Sequence, residues 1–168
     1  MIENIKTGLI RRMESVAVAE SVTGGLLQSV VSSCEEASRF FQGGITVYNI
    51  GQKCRHLGID PIHGMDCNCV SEKVAKEMSL NVCKLFTSNW GVAVTGYATP
   101  VPESDNKLFA YFAISFNGQV KHVEKVQPEF DHPHEVQMWY IEKIVEALAR
   151  LSEELDQVYN TNAEPVLT

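Results

Sequence analysis

The sequence lacks an uncharged apolar run of about 18 residues, so we expect no membrane-spanning helix. Its N-terminus alternates charged with apolar residues and shows no signal-peptide core. The five cysteines are odd in number and form no paired CxxC framework. These absences argue against a secreted disulfide scaffold and favour a soluble protein in the reducing cytoplasm.

Positive charge is also scarce. The chain has 14 Lys and Arg against 21 Asp and Glu, a formal net charge of −7, and no basic stripe. Because binding to nucleic acid depends on cations that displace counterions from phosphates, we expect no nucleic-acid partner and no membrane partner. The 168 residues with 45% hydrophobic content fit one domain, predicted at 1–156, followed by a flexible tail at 157–168.

The spacing of apolar residues alternates between helical and strand periods along the chain. It predicts five helices, at 2–13, from Gly24, at 50–58, from Ser71 and at 134–155. Gly58 is the expected C-terminal stop of the third helix. The fourth has Val74, Met78, Val82 and Leu85 on one face. Strands are predicted at 16–19, 43–49, 90–96 and on both sides of the Asn117-Gly118 turn within 108–126. This alternation predicts an α/β domain whose mixed sheet is covered on both faces.

A serine stands at a strand-to-helix corner. The run VAVAESVTGGLLQSVV (16–31) changes from strand to helical spacing after Glu20, where Ser21 lies. Backbone N–H groups and the positive end of a helix dipole face such a corner, and Gly24 and Gly25 let a ligand approach. The position suits a nucleophile or a bound anion. Ser21 or Thr23 acting only as a helix N-cap fits the same residues.

A serine hydroxyl needs a base to react, and no histidine lies near Ser21 in the sequence. Tyr48 falls at the end of the strand 43–49 and Lys53 five residues later, so both side chains are expected in the crevice at the end of the sheet. Burial can lower the pKa of a lysine until it serves as general base, and a tyrosine hydroxyl can relay the proton. Taken alone, Lys53 is better explained as a solvated helix residue.

Four stretches carry a more specific signal: AESVTGG, FFQGGITVYNIGQKCRHLGI, CVSEKVAKEM and VAVTGYATP. In this order and spacing they resemble the C-terminal domain family of the competence-damage-inducible CinA proteins, over nearly the whole chain. The resemblance implies a three-layer α/β/α sandwich on a mixed, mostly parallel sheet. It also implies a homodimer or higher homo-oligomer.

The resemblance further implies an activity and the residues that carry it. The family hydrolyses the carboxamide of nicotinamide mononucleotide to nicotinate mononucleotide and ammonia. It uses a serine nucleophile with a tyrosine and a lysine, which correspond here to Ser21, Tyr48 and Lys53. Residues of the matching stretches expected to bind this small-molecule nucleotide substrate are Glu20, Thr23, Gly24, Gly25, Gly44, Thr95, Gly96, Ala98, Ser104 and Lys107.

The chain departs from the family at three places. Val22 stands where the family usually has cysteine. The glycine-rich stretch reads TGYATPVPESDNKLFA (95–110), in which glycines are replaced by Thr99, Pro102, Glu103 and Ala110 and an aspartate by Val101. The segment FDHPHEVQ (130–137) contains no arginine where the family tends to have two. Side chains and a proline ring restrict how closely the backbone of this stretch can approach a ligand, and an arginine that could bind the phosphate in a bidentate manner is missing. Weaker binding of the mononucleotide is therefore expected.

Two further clusters contain side chains that can bind metals or undergo redox chemistry. Cys67 and Cys69 lack partners at zinc-finger spacing, so small, partly buried thiols explain them better. His132 and His134 offer metal ligands, but a polar first turn of a helix is the simpler explanation. We therefore expect no metal and no cofactor.

Three functions remain open on the sequence. The first is a Ser-Tyr-Lys amidohydrolase acting on nicotinamide mononucleotide. The second is a non-catalytic relative that keeps the fold as a nucleotide-sensing or protein-interaction module. The third is an amidase with the same three residues and a different substrate. The substituted stretch at 95–110 is the feature that separates these possibilities.

Overall fold

The computed structural model describes residues 1–162 and contains a five-stranded mixed sheet. The strands are β1 (Val16–Glu20), β2 (Phe41–Thr46), β3 (Trp90–Tyr97), β4 (Phe109–Phe116) and β5 (Gln119–Val126), in the order β2-β1-β3-β4-β5. β1 pairs in parallel with β2 and β3, whereas β4 is antiparallel to β3 and β5. β1, β2, β3 and β5 therefore share one direction, and β4 runs against them.

Helices cover both faces of the sheet. One face carries α1 (Ile2–Arg12), α2 (Leu26–Ser32) and α6 (Pro133–Asn162), and the other carries α3 (Ile50–Leu57), α4 (Pro61–Asp66) and α5 (Glu72–Phe86). β1 serves both layers, because Val16 and Val18 belong to the first core and Ala17 and Ala19 to the second. The predicted three-layer α/β/α sandwich is confirmed. Within residues 1–162, no helix has the length and apolarity needed to cross a bilayer.

Local signals in the sequence agree with the structure at several element ends. Ser71 caps α5, since its hydroxyl accepts a hydrogen bond from Val74 N at 3.2 Å. Gly58 ends α3 in the left-handed conformation with φ 61°. Asn117 and Gly118 have φ 48° and 78°, the positive values that a two-residue hairpin turn requires.

Other boundaries differ from the prediction. β2 runs over Phe41–Thr46 rather than 43–49, and α4 was not predicted. Leu85, expected on the buried face of α5, is 48% exposed, because Phe86 continues that face and packs against the core in its place. Two short 3₁₀ turns lie at Ala37–Arg39 and Pro102–Ser104.

The last helix is longer than predicted. We expected it to end near Leu155 and the tail to begin at 157, but α6 continues to Asn162. Its final turns are tied to α1, because the buried Arg12 donates to Ser152 Oγ at 3.0 Å and to the Asp156 carboxylate. Residues 163–168, the rest of the predicted tail, lie outside the described residues.

Candidate active site

An open cleft of about 450 Å³ lies where β1 and β3 end and α3 begins. The chain leaves β1 toward one face of the sheet through α2, and it reaches β3 through helices on the other face. A crevice at such a reversal is the usual ligand site of an open α/β sheet. Ser21, Tyr48, Lys53, Thr95, Gly96 and Ala98 line it, so six of the predicted site residues share one cleft.

Ser21 and Lys53 form a direct pair on the wall of this cleft. Lys53 Nζ lies 3.0 Å from Ser21 Oγ, and the two residues are only 3% and 6% exposed. Ser21 is held at the end of β1, where its N–H donates to Val94 O of β3 at 3.1 Å. Lys53 stands on α3, which Asn49 caps by accepting a hydrogen bond from Gln52 N at 3.1 Å. Two rigid elements therefore set the distance between hydroxyl and amine.

The environment of Lys53 favours its neutral form. Burial lowers the pKa of the Lys53 amine below its ordinary value of 10.5, because the charged form is deprived of water. The thiols of Cys69 and Cys54 oppose this effect by raising the pKa. Among residues 1–162, no carboxylate forms an ion pair with Lys53. A neutral amine beside a serine hydroxyl can accept its proton.

Tyr48 lies at the mouth of the cleft rather than between Ser21 and Lys53. Its side chain is 75% exposed, and within the described part of the chain its hydroxyl donates to neither residue. The structure thus brings Tyr48 into the predicted cleft but places no relay through it in the ligand-free state. An exposed ring at the mouth is well placed to pack against a bound substrate.

Glu20 and Thr23 do not reach the cleft, which corrects the expectation that they contact substrate. Glu20 is fully buried, and its carboxylate accepts hydrogen bonds from Thr23 Oγ1 at 2.6 Å, Leu27 N at 2.9 Å and Gln28 N at 2.8 Å. These contacts satisfy the first N–H groups of α2 and place a negative charge at its positive end. Glu20 therefore fixes the corner that carries Ser21 and acts behind it.

The backbone after Ser21 offers one candidate oxyanion donor. Gly24 N donates to Ser21 O and Gly25 N to Glu20, so neither glycine is available to a ligand, and neither lines the cleft. Gly25 instead starts α2 at φ 106°, a conformation that favours glycine. Val22 N makes no hydrogen bond with another described residue, and Val22 lines the cleft. The N–H that follows the nucleophile is a common oxyanion donor in hydrolases.

Of the remaining predicted glycine and threonine positions, two shape the cleft and one does not. Thr95 donates from Oγ1 to Cys69 O at 2.8 Å and so holds the turn after α4 against β3. A Cβ on Gly96 would come within 2.4 Å of Phe109 O, so this position must stay small for β3 to pair with β4. Gly44 lies away from the cleft, in β2 beside Val18 and Gln28.

The substituted stretch after β3 forms one side of the cleft. Its altered positions Thr99, Val101 and Glu103 line the cleft, as does the retained Ala98. Ser104 is buried and donates to Val101 O at 3.1 Å, whereas Lys107 is exposed and lies outside the cleft. The expectation that Ser104 and Lys107 bind substrate is therefore corrected, because the Ser104 hydroxyl bonds to Val101 O and Lys107 lies beyond the 3₁₀ turn, outside the cleft.

Several cleft residues were missed by the sequence analysis as binding residues. Asn68 Nδ2 donates to the Tyr97 hydroxyl at 3.1 Å, and Gln137 Nε2 donates to Val22 O at 2.8 Å. Gln137 comes from α6 and steadies the turn that follows Ser21. Both Tyr97 and Gln137 stand in stretches quoted for the family comparison, but only the folded chain shows that they face the cleft.

The cysteine and histidine clusters form no recognisable metal site. Cys67 Sγ lies 3.7 Å from His63 Nε2, whose other contact is Ser71 Oγ at 3.0 Å. Residues 1–162 contain no group of three or more His, Cys, Asp or Glu side chains arranged to hold a metal ion. His132 and His134 flank Pro133 at the start of α6 and are exposed.

Known proteins give a consistent comparison. The family model for the CinA C-terminal domain matches residues 1–155. A CinA-like protein of Picosynechococcus sp. is 36% identical over 112 residues, which are 67% of this chain and 27% of that protein. A CinA-like protein of Prochlorococcus marinus is 39% identical over 112 residues, covering 63% of this chain and 25% of that one. The chain thus spans about a quarter of the length of these curated relatives.

Solved structures agree on the fold. A competence damage-inducible protein A from Klebsiella pneumoniae superposes with a TM-score of 0.83 at 26% identity, covering 92% of this chain and 94% of that one. A CinA superfamily protein from another K. pneumoniae strain gives 0.84 at 23% identity, covering 91% and 96%. The structural matches agree with the fold, and the family model over residues 1–155 shows that the chain belongs to the CinA C-terminal domain family.

Proposed function

We propose that this protein is an amidohydrolase that converts nicotinamide mononucleotide to nicotinate mononucleotide and ammonia. The single observation that carries the proposal is the 3.0 Å contact between Lys53 Nζ and Ser21 Oγ on the wall of an open cleft. Burying a lysine amine that has no carboxylate partner costs stability. A serine with a structural role alone would not require such a neighbour, so the pair favours a catalytic role. The choice of substrate comes from the family resemblance.

Acylation begins with the neutral amine of Lys53. Lys53 accepts the proton of Ser21 Oγ as that oxygen bonds to the carboxamide carbon, which gives a tetrahedral oxyanion. Val22 N–H, which has no partner among the described residues, is the candidate to donate a hydrogen bond to this oxyanion. The C–N bond then breaks, Lys53 returns the proton to the leaving nitrogen, and ammonia departs from an ester on Ser21.

Deacylation repeats the same proton transfers with water. Lys53 accepts a proton from a water molecule whose oxygen attacks the ester carbon, and the bond to Ser21 Oγ breaks as the proton returns to that oxygen. The products are the free carboxylic acid and the original serine. One amide and one water molecule thus give one acid and one ammonia.

Two wider expectations belong to this proposal. A cytoplasmic setting suits the five free thiols, because a reducing compartment keeps cysteines from forming disulfides. A homo-oligomer is expected from the family resemblance, and light scattering on the purified protein tests it directly.

The proposal is tested by product analysis. The purified protein is incubated with nicotinamide mononucleotide, and ammonia and nicotinate mononucleotide are quantified in parallel. We expect equal amounts of both products. No product from this substrate or its nucleoside, and none from a panel of other amides, would contradict hydrolase function and favour the non-catalytic module. Turnover of an unrelated amide alone would identify an amidase of different specificity.

A further inference from the structure

The cleft is poor in positive charge. Among the described residues that line it, Lys53 is the one cation and Glu103 the one anion. Lys53 contacts Ser21 Oγ at 3.0 Å and is only 3% exposed, so its amine is not presented to an anion elsewhere in the cleft. Lys107, the lysine that the family pattern places in this loop, is exposed and lies outside the cleft.

Helix starts do not replace the missing cations. α6 begins at the cleft with Pro133, which has no N–H, and Glu135 in its first turn already opposes a second negative group. The start of α3 is capped by Asn49, whose side chain accepts from Gln52 N. A phosphate monoester is usually held by arginine forks, lysines or uncapped helix N-termini. The described lining of the cleft contains no arginine and no lysine other than Lys53, and its two helix starts carry Pro133 and the Asn49 cap.

The same walls suit a flat cation. Tyr48 and Tyr97 place two aromatic rings beside the cleft, and Asn68 fixes the hydroxyl of Tyr97 at 3.1 Å. Glu103 adds a carboxylate on the side formed by the substituted loop. Aromatic faces and a carboxylate attract a cationic ring, and an N-ribosylated pyridine amide carries one positive charge on its ring. A 5′-phosphate would add negative charge to a cleft whose described lining already carries the Glu103 carboxylate.

We propose, on the basis of the amidohydrolase function above, that this cleft selects the phosphate-free pyridinium nucleoside amide over its 5′-phosphate. Glu103 is the specificity-determining residue: it favours a substrate of net positive charge and disfavours a phosphorylated one. The nucleoside keeps the reacting carboxamide and the cationic ring, and it loses only the group for which the cleft has no partner.

The test compares kcat/KM for nicotinamide riboside and nicotinamide mononucleotide in wild type, Glu103→Gln and Glu103→Lys at low ionic strength. Asp105→Asn is the matched control, since it removes the same charge two residues away from an exposed position outside the cleft. We expect wild type to prefer the riboside. Glu103→Gln should shift the ratio toward the mononucleotide by about fivefold and Glu103→Lys by more, with a smaller shift at high salt. Asp105→Asn should change the ratio less than twofold.

The outcomes separate this inference from the proposed function. Hydrolysis of the mononucleotide with at least tenfold preference over the riboside would overturn the selectivity and leave the amidohydrolase function standing. If Glu103→Lys has normal thermal stability but leaves the ratio of the two kcat/KM values unchanged, Glu103 does not determine specificity. If neither compound releases ammonia, the proposed function itself fails and the inference falls with it.

Discussion

Lys53 Nζ lies 3.0 Å from Ser21 Oγ, and burial lowers the pKa of that amine. The two residues are 32 positions apart and meet because β1 ends beside the start of α3. The account rests on this contact, since it places beside a serine an amine whose neutral form is favoured by burial, and a neutral amine can act as the base in amide hydrolysis.

The pH dependence of the rate tests the role of Lys53. Only the neutral amine accepts a proton, so kcat/KM should rise about tenfold per pH unit below the lowered pKa and level off above it. Lys53→Met should lose most of the rate together with this limb. A limb of the same shape in Lys53→Met would assign the base to another group.

The lowered pKa of Lys53 should also appear in the pH dependence of the free energy of unfolding. The unfolded chain binds a proton at Lys53 up to about its ordinary pKa of 10.5, whereas the folded chain releases it at lower pH. Lys53 therefore costs stability at neutral pH, by about 1.4 kcal/mol for each unit by which its pKa is lowered. Urea unfolding should show Lys53→Met to be more stable at neutral pH, with a gain that shrinks as the pH approaches 10.5. A variant less stable than wild type at every pH would contradict the burial of an uncompensated amine.

Tyr48 should act through its ring. Because its hydroxyl contacts neither Ser21 nor Lys53 in the ligand-free protein, Tyr48→Phe should keep kcat within about threefold, well short of the 10²-fold or greater loss expected for a general acid or base. Tyr48→Ala should raise KM several-fold, since it removes an aromatic surface at the mouth of the cleft. Both variants are measured by steady-state kinetics. A large fall in kcat for Tyr48→Phe would contradict this prediction and support a proton relay through the Tyr48 hydroxyl.

Glu20 should matter for folding rather than for binding. Glu20→Ala leaves the first N–H groups of α2 without an acceptor inside the protein, and we expect a loss of about 2–4 kcal/mol in the free energy of unfolding. The exposed Glu129→Ala is the control and should change stability by less than about 0.5 kcal/mol. Equal stabilities for the two variants in urea would contradict the capping role of Glu20.

Much of this architecture was predictable from local patterns. The Asn117-Gly118 turn, the Ser71 cap and the Gly58 stop each depend on a few neighbouring residues, and all three are found in the structure. The length of α6 was missed because it depends on the contact of Asp156 with Arg12, 144 positions away in the chain. Sequence spacing carries no sign of such a partner.

The candidate site, too, could be predicted from the sequence only in part. The family resemblance predicted that Ser21, Lys53 and Tyr48 belong to one site, and all three line the cleft. The resemblance did not show the direction of each side chain. Glu20 is next to Ser21 in sequence, yet successive residues of a strand point to opposite faces, and its carboxylate turns toward α2. Gln137 and Tyr97 reach the cleft through the packing of α6 and the end of β3, which only the fold reveals.

Ammonia release by Ser21→Ala is the most direct measurement of the central claim. Nicotinamide mononucleotide and nicotinamide riboside are supplied at saturation to wild type and to the variant, and unfolding melts confirm that both proteins are folded. We predict that the variant loses at least ~10³-fold of the wild-type rate on whichever substrate is turned over. A folded Ser21→Ala protein that releases ammonia at the wild-type rate would contradict the account.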